Sequence, residues 1–112
     1  MATTPEGRVK RKVDTYLGEL NYLLTEAGIN LYTIKYVPTG YGSNNQLDYT
    51  LCVAGHFVVI ETKAPGEWLT PLQIMSCVNA FKAGATVFII SGDEGLGAFK
   101  NWVRNNERYW NA

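Results

Sequence analysis

Excess charge of one sign, cysteine, histidine and long apolar runs are all scarce in this chain, and each shortage closes a route to function. Ten lysines and arginines balance ten aspartates and glutamates, so no net basic charge speaks for a nucleic-acid partner. One histidine and two cysteines leave no cluster with zinc-ligand spacing. Cys52 and Cys77 fall in apolar contexts, within an expected strand and an expected helix, and read as buried free thiols of a reducing compartment. No apolar run approaches the roughly 18 residues that a membrane helix needs. Residues 1–6 lack the apolar core of a secretion signal. A cytoplasmic protein without membrane contact is the expectation, and the absence of repeats, low-complexity segments and linkers makes residues 1–112 one domain.

Apolar residues, at 46% of the chain, are enough to build a core and too many for disorder. The chain is organised around residues 48–63, where two runs rich in β-branched and aromatic residues flank Ala54-Gly55. That pattern predicts a β-hairpin. A loop centred on Ala54-Gly55 pairs Val53 with His56, so paired positions sum to 109 and Asp48 faces Glu61. Directly opposed residues have Cβ atoms roughly 4.5–5.5 Å apart, and like charges so placed destabilise a sheet. Lys63 shares the face of Glu61 by strand alternation. Two carboxylates and a lysine in otherwise apolar strands call for a divalent cation. His56, at the hairpin tip and away from the carboxylates, reads as an exposed turn residue.

Thr4-Pro5-Glu6 has the chemistry of a helix start, with a capping hydroxyl, a proline at the first position and an acid in the first turn. The stripe Val9, Val13, Tyr16, Leu17, Leu20, Leu24 and Ala27 has helical spacing, and Gly28 ends it. Glu6 belongs to the buried face of that helix. It is either an acid favoured by the helix dipole or a carboxylate aimed at the sheet. Arg8, Lys10, Arg11 and Lys12 form a basic cluster that is a solvated helix face or a DNA contact. Residues 31–37 predict a first strand, and residues 39–46, rich in glycine and asparagine, a mobile loop leading into Asp48. Tyr36 and Tyr41 have ring faces for stacking on bases, or for local packing.

After the hairpin, residues 64–69 connect to a helix opened by Thr70-Pro71. Its apolar positions include Leu72, Met75, Val78 and Phe81, and Gly84 ends it. Thr70 with Gln73 has the spacing of a capping box, which gives Gln73 a structural job beside any functional one. Residues 86–90 read as a strand covered on both faces, and residues 96–105 as a last helix. An α/β class follows: a small mixed sheet of about four strands with helices on both faces, the last strand returned parallel by a crossover helix.

Asp48, then Glu61-Thr62-Lys63 on the next strand, then Gln73 at the following helix start, resembles the viral-type replication-repair nuclease (VRR-NUC) domain. That domain belongs to the restriction-endonuclease-like PD-(D/E)xK superfamily. Residues 5–9, 55–66, 69–73 and 83–90 carry the similarity, which spans most of the chain. The chain departs from the family at Asn45-Gln46-Leu47-Asp48, where the family has Gly-x-Pro-Asp. The resemblance implies a restriction-endonuclease-like fold and a DNA phosphodiester hydrolase using Mg²⁺ or Mn²⁺. It implies metal ligation by Asp48, Glu61 and the Thr62 carbonyl, with Glu6 contributing through a bound water or a second metal. Lys63 would orient the attacking water, and Gln73 would hold Lys63, a water or a phosphate oxygen. Arg8, Lys10, Arg11, Lys12 and Tyr41 are the residues expected on DNA. Relatives of this single-domain size are typically viral and resemble Holliday junction resolvases, so the implied substrate is branched DNA, in a host-cell cytoplasm. A homodimer is expected, with Phe99, Trp102, Tyr109 and Trp110 as its candidate interface. The competing readings are a catalytically silent nuclease fold that binds DNA or a replication partner, and an interaction or inhibitor protein.

Overall fold

The structure, a computed structural model, describes residues 4–36 and 47–110, the side chain of Tyr109 excepted. Tyr41, the expected loop over residues 39–46 and the end of the first strand lie outside the described residues. Helix α1 (Pro5–Glu26) begins as its sequence dictates: the Thr4 hydroxyl accepts from the Gly7 N–H at 3.0 Å, with Pro5 at the first position. Its stripe from Val9 to Leu24 is buried. Strands β1 (Tyr32–Lys35), β2 (Tyr49–Val53) and β3 (His56–Thr62) follow, then helix α2 (Pro71–Lys82), strand β4 (Thr86–Ile90) and helix α3 (Asp93–Asn106), with a closing 3-10 turn over Glu107–Tyr109. The sheet order is β1-β2-β3-β4, antiparallel through β3, with β4 parallel to β3. The fold is the α/β class expected, a mixed four-stranded sheet flanked by three helices.

The hairpin register is the predicted one, from Val53 opposite His56 to Tyr49 opposite Ile60. Ala54 (φ +50°) and Gly55 (φ +88°) both take left-handed backbone, as the tight turns that match strand twist require. Gly55 does so without strain, whereas Ala54 carries the cost of a Cβ in that region.

Alternation then sorts the side chains. Tyr49, Leu51 and Val53 on β2, Val58 and Ile60 on β3 and Ile90 on β4 join α1 and α3 in one core. Tyr16 meets Phe99 edge-on at 5.5 Å across the two helices. Helix α3 approaches the sheet closely at Gly95, where a Cβ would lie 2.8 Å from the Ile89 carbonyl oxygen.

The opposite face departs from expectation. α2 lies over it, with Ser76 and Ala80 lining a shallow cavity beside Thr50, Phe57 and Val59, yet no residue of α2 is buried. Leu72, Met75, Val78 and Phe81 have helical spacing, but Met75 is 59% and Phe81 70% exposed. β4 is an edge strand with Ile89 exposed, not a strand covered on both faces. Cys52 is free and exposed, and Cys77 free and half-buried, because this face is only partly covered. His56 is half-buried and meets Trp102 edge-on at 5.4 Å. The supposed interface aromatics are largely core: Phe99 is buried, Trp102 packs on Phe88 and Phe99, and Trp110 is half-buried near His56.

Candidate metal centre

Asp48 directly precedes β2, and one further step of the hairpin register sets it opposite Glu61. Its Oδ2 accepts from the Thr62 backbone N–H at 2.8 Å and from the Thr62 hydroxyl at 2.6 Å. Lys10, reaching from α1, places its Nζ 3.6 Å from Oδ1. Asp48 is thereby aimed from three sides by groups that stabilise its charge.

Glu61 has the opposite surroundings. It is 2% exposed, and among the described residues its buried Oε2 has no hydrogen-bond partner. Burial, then the hydrogen bond and negative charge of Asp48, push its carboxyl up to about 9, with Lys63 opposing and Glu6 adding to the rise. For Asp48, burial alone would raise the pKa. The hydrogen bonds from Glu61 and Thr62, with the charge of Lys10, outweigh it and hold the carboxyl below its ordinary value. Two carboxyls in contact cannot both ionise cheaply, so the pair holds one proton at neutral pH.

An orphaned, buried carboxylate oxygen beside an ionised aspartate fits a hard cation that would replace the shared proton. Among the described residues no group of three or more His, Cys, Asp or Glu side chains could hold a metal. The side chains therefore supply two carboxylates, and carbonyl oxygens or water would fill the other positions, which Mg²⁺ tolerates because it keeps several waters.

The remaining expected residues divide. Lys63 follows Glu61 on the same face and is buried, its backbone N–H donating to the Ile90 carbonyl at 3.0 Å. Thr62, expected through its carbonyl, shows its amide and hydroxyl orienting Asp48. Glu6, half-buried in the first turn of α1, is near enough for its charge to act on Glu61 but does not join a ligand group. Gln73 is committed elsewhere: its Oε1 accepts from the Thr70 N–H at 2.9 Å and its own N–H donates to the Thr70 hydroxyl at 3.2 Å, a complete capping box. The basic cluster is divided, with Lys10 on Asp48 and Lys12 on Asp93 at 2.9 Å. Arg8 and Arg11 lie exposed on α1. Tyr41 lies outside the described residues.

Two features escaped the sequence reading. Tyr49 donates to Asp14 at 2.7 Å, and Asp14 also pairs with Lys35 at 2.8 Å, which ties α1 to the sheet beside Asp48. No short-range pattern joins residues so far apart in sequence. Trp68 is the other, 90% exposed on the connection between β3 and α2; its signal was a large aromatic directly after a Pro-Gly turn.

Fold and site together define an α/β domain with a carboxylate pair and a lysine at one end of a mixed sheet. No protein-family model matches the chain, and no curated protein does. A solved structure similar to it is that of Hjc from Archaeoglobus fulgidus, a Holliday junction resolvase from an archaeal hyperthermophile, at 20% identity and a TM-score of 0.41. The match covers 67% of this chain and 63% of that one, less than two thirds of the resolvase's length.

Proposed function

We propose that the chain is a divalent-metal-dependent DNA endonuclease of the restriction-endonuclease-like superfamily, a VRR-NUC-type domain acting on branched DNA such as Holliday junctions. One observation carries the reading: the orphaned Oε2 of buried Glu61, beside ionised Asp48 and followed on the same face by Lys63. A fold gains nothing in stability from an unsatisfied buried carboxyl, and a bound cation accounts for it.

Asp48 and Glu61 would hold the ion, with Thr62 fixing the orientation of Asp48. Mg²⁺ or Mn²⁺ there supplies charge neutralisation at a phosphate and a more acidic water. Lys63 carries a fixed positive charge beside the pair and stabilises the charge that develops on the phosphate oxygens. Arg8, Lys10, Arg11 and Lys12 lie within one stretch of α1, with Arg8, Arg11 and Lys12 exposed, a basic face of the kind that phosphate contact uses.

A homodimer completes the proposal, since paired nicks across a junction need two sites related by a two-fold axis. The surface we assign to it is α2, whose residues 71–81 carry no charge and expose Leu72, Ile74, Met75, Val78 and Phe81. A phosphate backbone needs positive charge to meet it, which residues 71–81 lack, so an uncharged apolar helix suits the apolar face of a second copy better than DNA.

The test is cleavage of supercoiled plasmid and of a labelled four-way junction with Mg²⁺, Mn²⁺ or EDTA. Metal-dependent cutting that Glu61→Gln abolishes is expected. Junction binding with no cutting in either metal would instead support the silent binding module and contradict an enzyme.

A further inference from the structure

Trp68 stands on a stiff segment. Gly66 takes left-handed backbone (φ +84°), and the Glu67 N–H donates to the Ala64 carbonyl at 3.0 Å, closing a turn just before it. Two residues after it, the Thr70 capping box locks the start of α2. Between these fixed points the indole is 90% exposed, and among the described residues no ring packs on it and no hydrogen bond holds it. An indole left so open forgoes the burial that a residue of its size ordinarily contributes.

It also walls a cavity of about 470 Å³ with Lys63, Leu69, Ile89 and Ser91, a volume within the roughly 300–1,000 Å³ of small-ligand sites. The lining is mixed. Lys63, two positions from Glu61, brings positive charge, Leu69 and Ile89 bring apolar surface, and Glu67, next to Trp68 in the chain, brings negative charge. Phosphate is drawn to the lysine and repelled by the glutamate, while a flat, uncharged ring system suits the indole and the apolar wall.

We propose that Trp68 is a stacking platform for an unpaired nucleobase adjoining the phosphate held at Lys63, an inference that rests on the nuclease reading above. Inside a duplex both faces of every base are covered by its neighbours. A base swings clear of its neighbours and offers a free face to an indole where pairing is interrupted, at a flap or a branch point. The platform thus supplies selectivity for interrupted DNA without reading sequence, because every base has a π-face. Its preset position spares the ordering cost that a mobile tryptophan would incur on binding.

The experiment compares binding of two labelled oligonucleotides in EDTA, a duplex with a single-stranded flap and a fully paired duplex of equal length, by fluorescence anisotropy. Wild type should prefer the flap. Trp68→Ala should lose affinity for the flap on the order of tenfold, leave blunt-duplex affinity unchanged and keep its circular dichroism, while Trp68→Phe retains most of the preference. An unchanged flap affinity in Trp68→Ala overturns the inference and leaves the nuclease reading standing. An equal loss on both DNAs also overturns it, and if light scattering then shows a monomer, Trp68 belongs to the contact between copies. Wild type that binds neither DNA overturns both.

Discussion

Glu61 and Lys63 lie two positions apart on one strand face and respond to different perturbations. Glu61 keeps a proton that the unfolded chain has released. Between the ordinary glutamate range and about 9, the folded state therefore binds more protons than the unfolded state, and stability falls as pH rises through that window. Glu61→Gln removes the liability. In EDTA its melting temperature should exceed that of wild type, with a gap that widens from about pH 5 to about pH 8. A constant gap would mean that Glu61 is not the titrating group. Lys63→Ala is expected to keep Mn²⁺ binding and lose turnover on the order of a hundredfold, as removal of one group acting on the transition state does. Loss of metal affinity as large as in Asp48→Asn would show that the lysine supports the ion instead.

Among the elements, α2 separates what its sequence shows from what it hides. Its start is legible: Thr70, Pro71 and Gln73 have the chemistry of a capped N-terminus, and the structure closes both bonds of the box. Gln73→Ala should accordingly cost about 1 kcal/mol of stability, measured by urea denaturation. A turnover loss at unchanged stability would assign Gln73 to the site after all. The partner of the apolar stripe on α2 is not legible, because spacing says which residues share a face and not whether anything covers it. Cys52 and Ile89 were misplaced for the same reason. The hairpin was readable through to Asp48 because antiparallel pairing is arithmetic once the turn is located. Lys10 and Thr62 on Asp48 were not, since a tertiary contact from a helix and a side chain on the partner strand leave no periodic trace. Helix α3 gives the complementary case. Gly95 reads as an ordinary small residue, yet a Cβ there would press on the backbone of β4. Gly95→Ala should cost roughly 1–3 kcal/mol in the same denaturation experiment, and a neutral result would mean that α3 can move away from the sheet freely.

At the scale of the whole molecule, one sheet face is sealed by α1 and α3 while the other carries α2 and exposed apolar residues. Val78→Glu would put a charge into the uncharged apolar face of α2, where contact with a second copy would desolvate it, and light scattering at micromolar concentration should then show a monomer where wild type is a dimer. A dimer that survives the substitution would place the contact elsewhere. The carboxylate pair as a cation site is the claim on which the rest depends, and calorimetric titration with Mn²⁺ tests it most directly. Wild type should bind with proton release and with an affinity that rises with pH up to about 9, as expected when metal replaces the proton on Glu61, and Glu61→Gln should lose most of it. Wild type that binds no Mn²⁺, or Glu61→Gln that binds it as wild type does, would contradict the account.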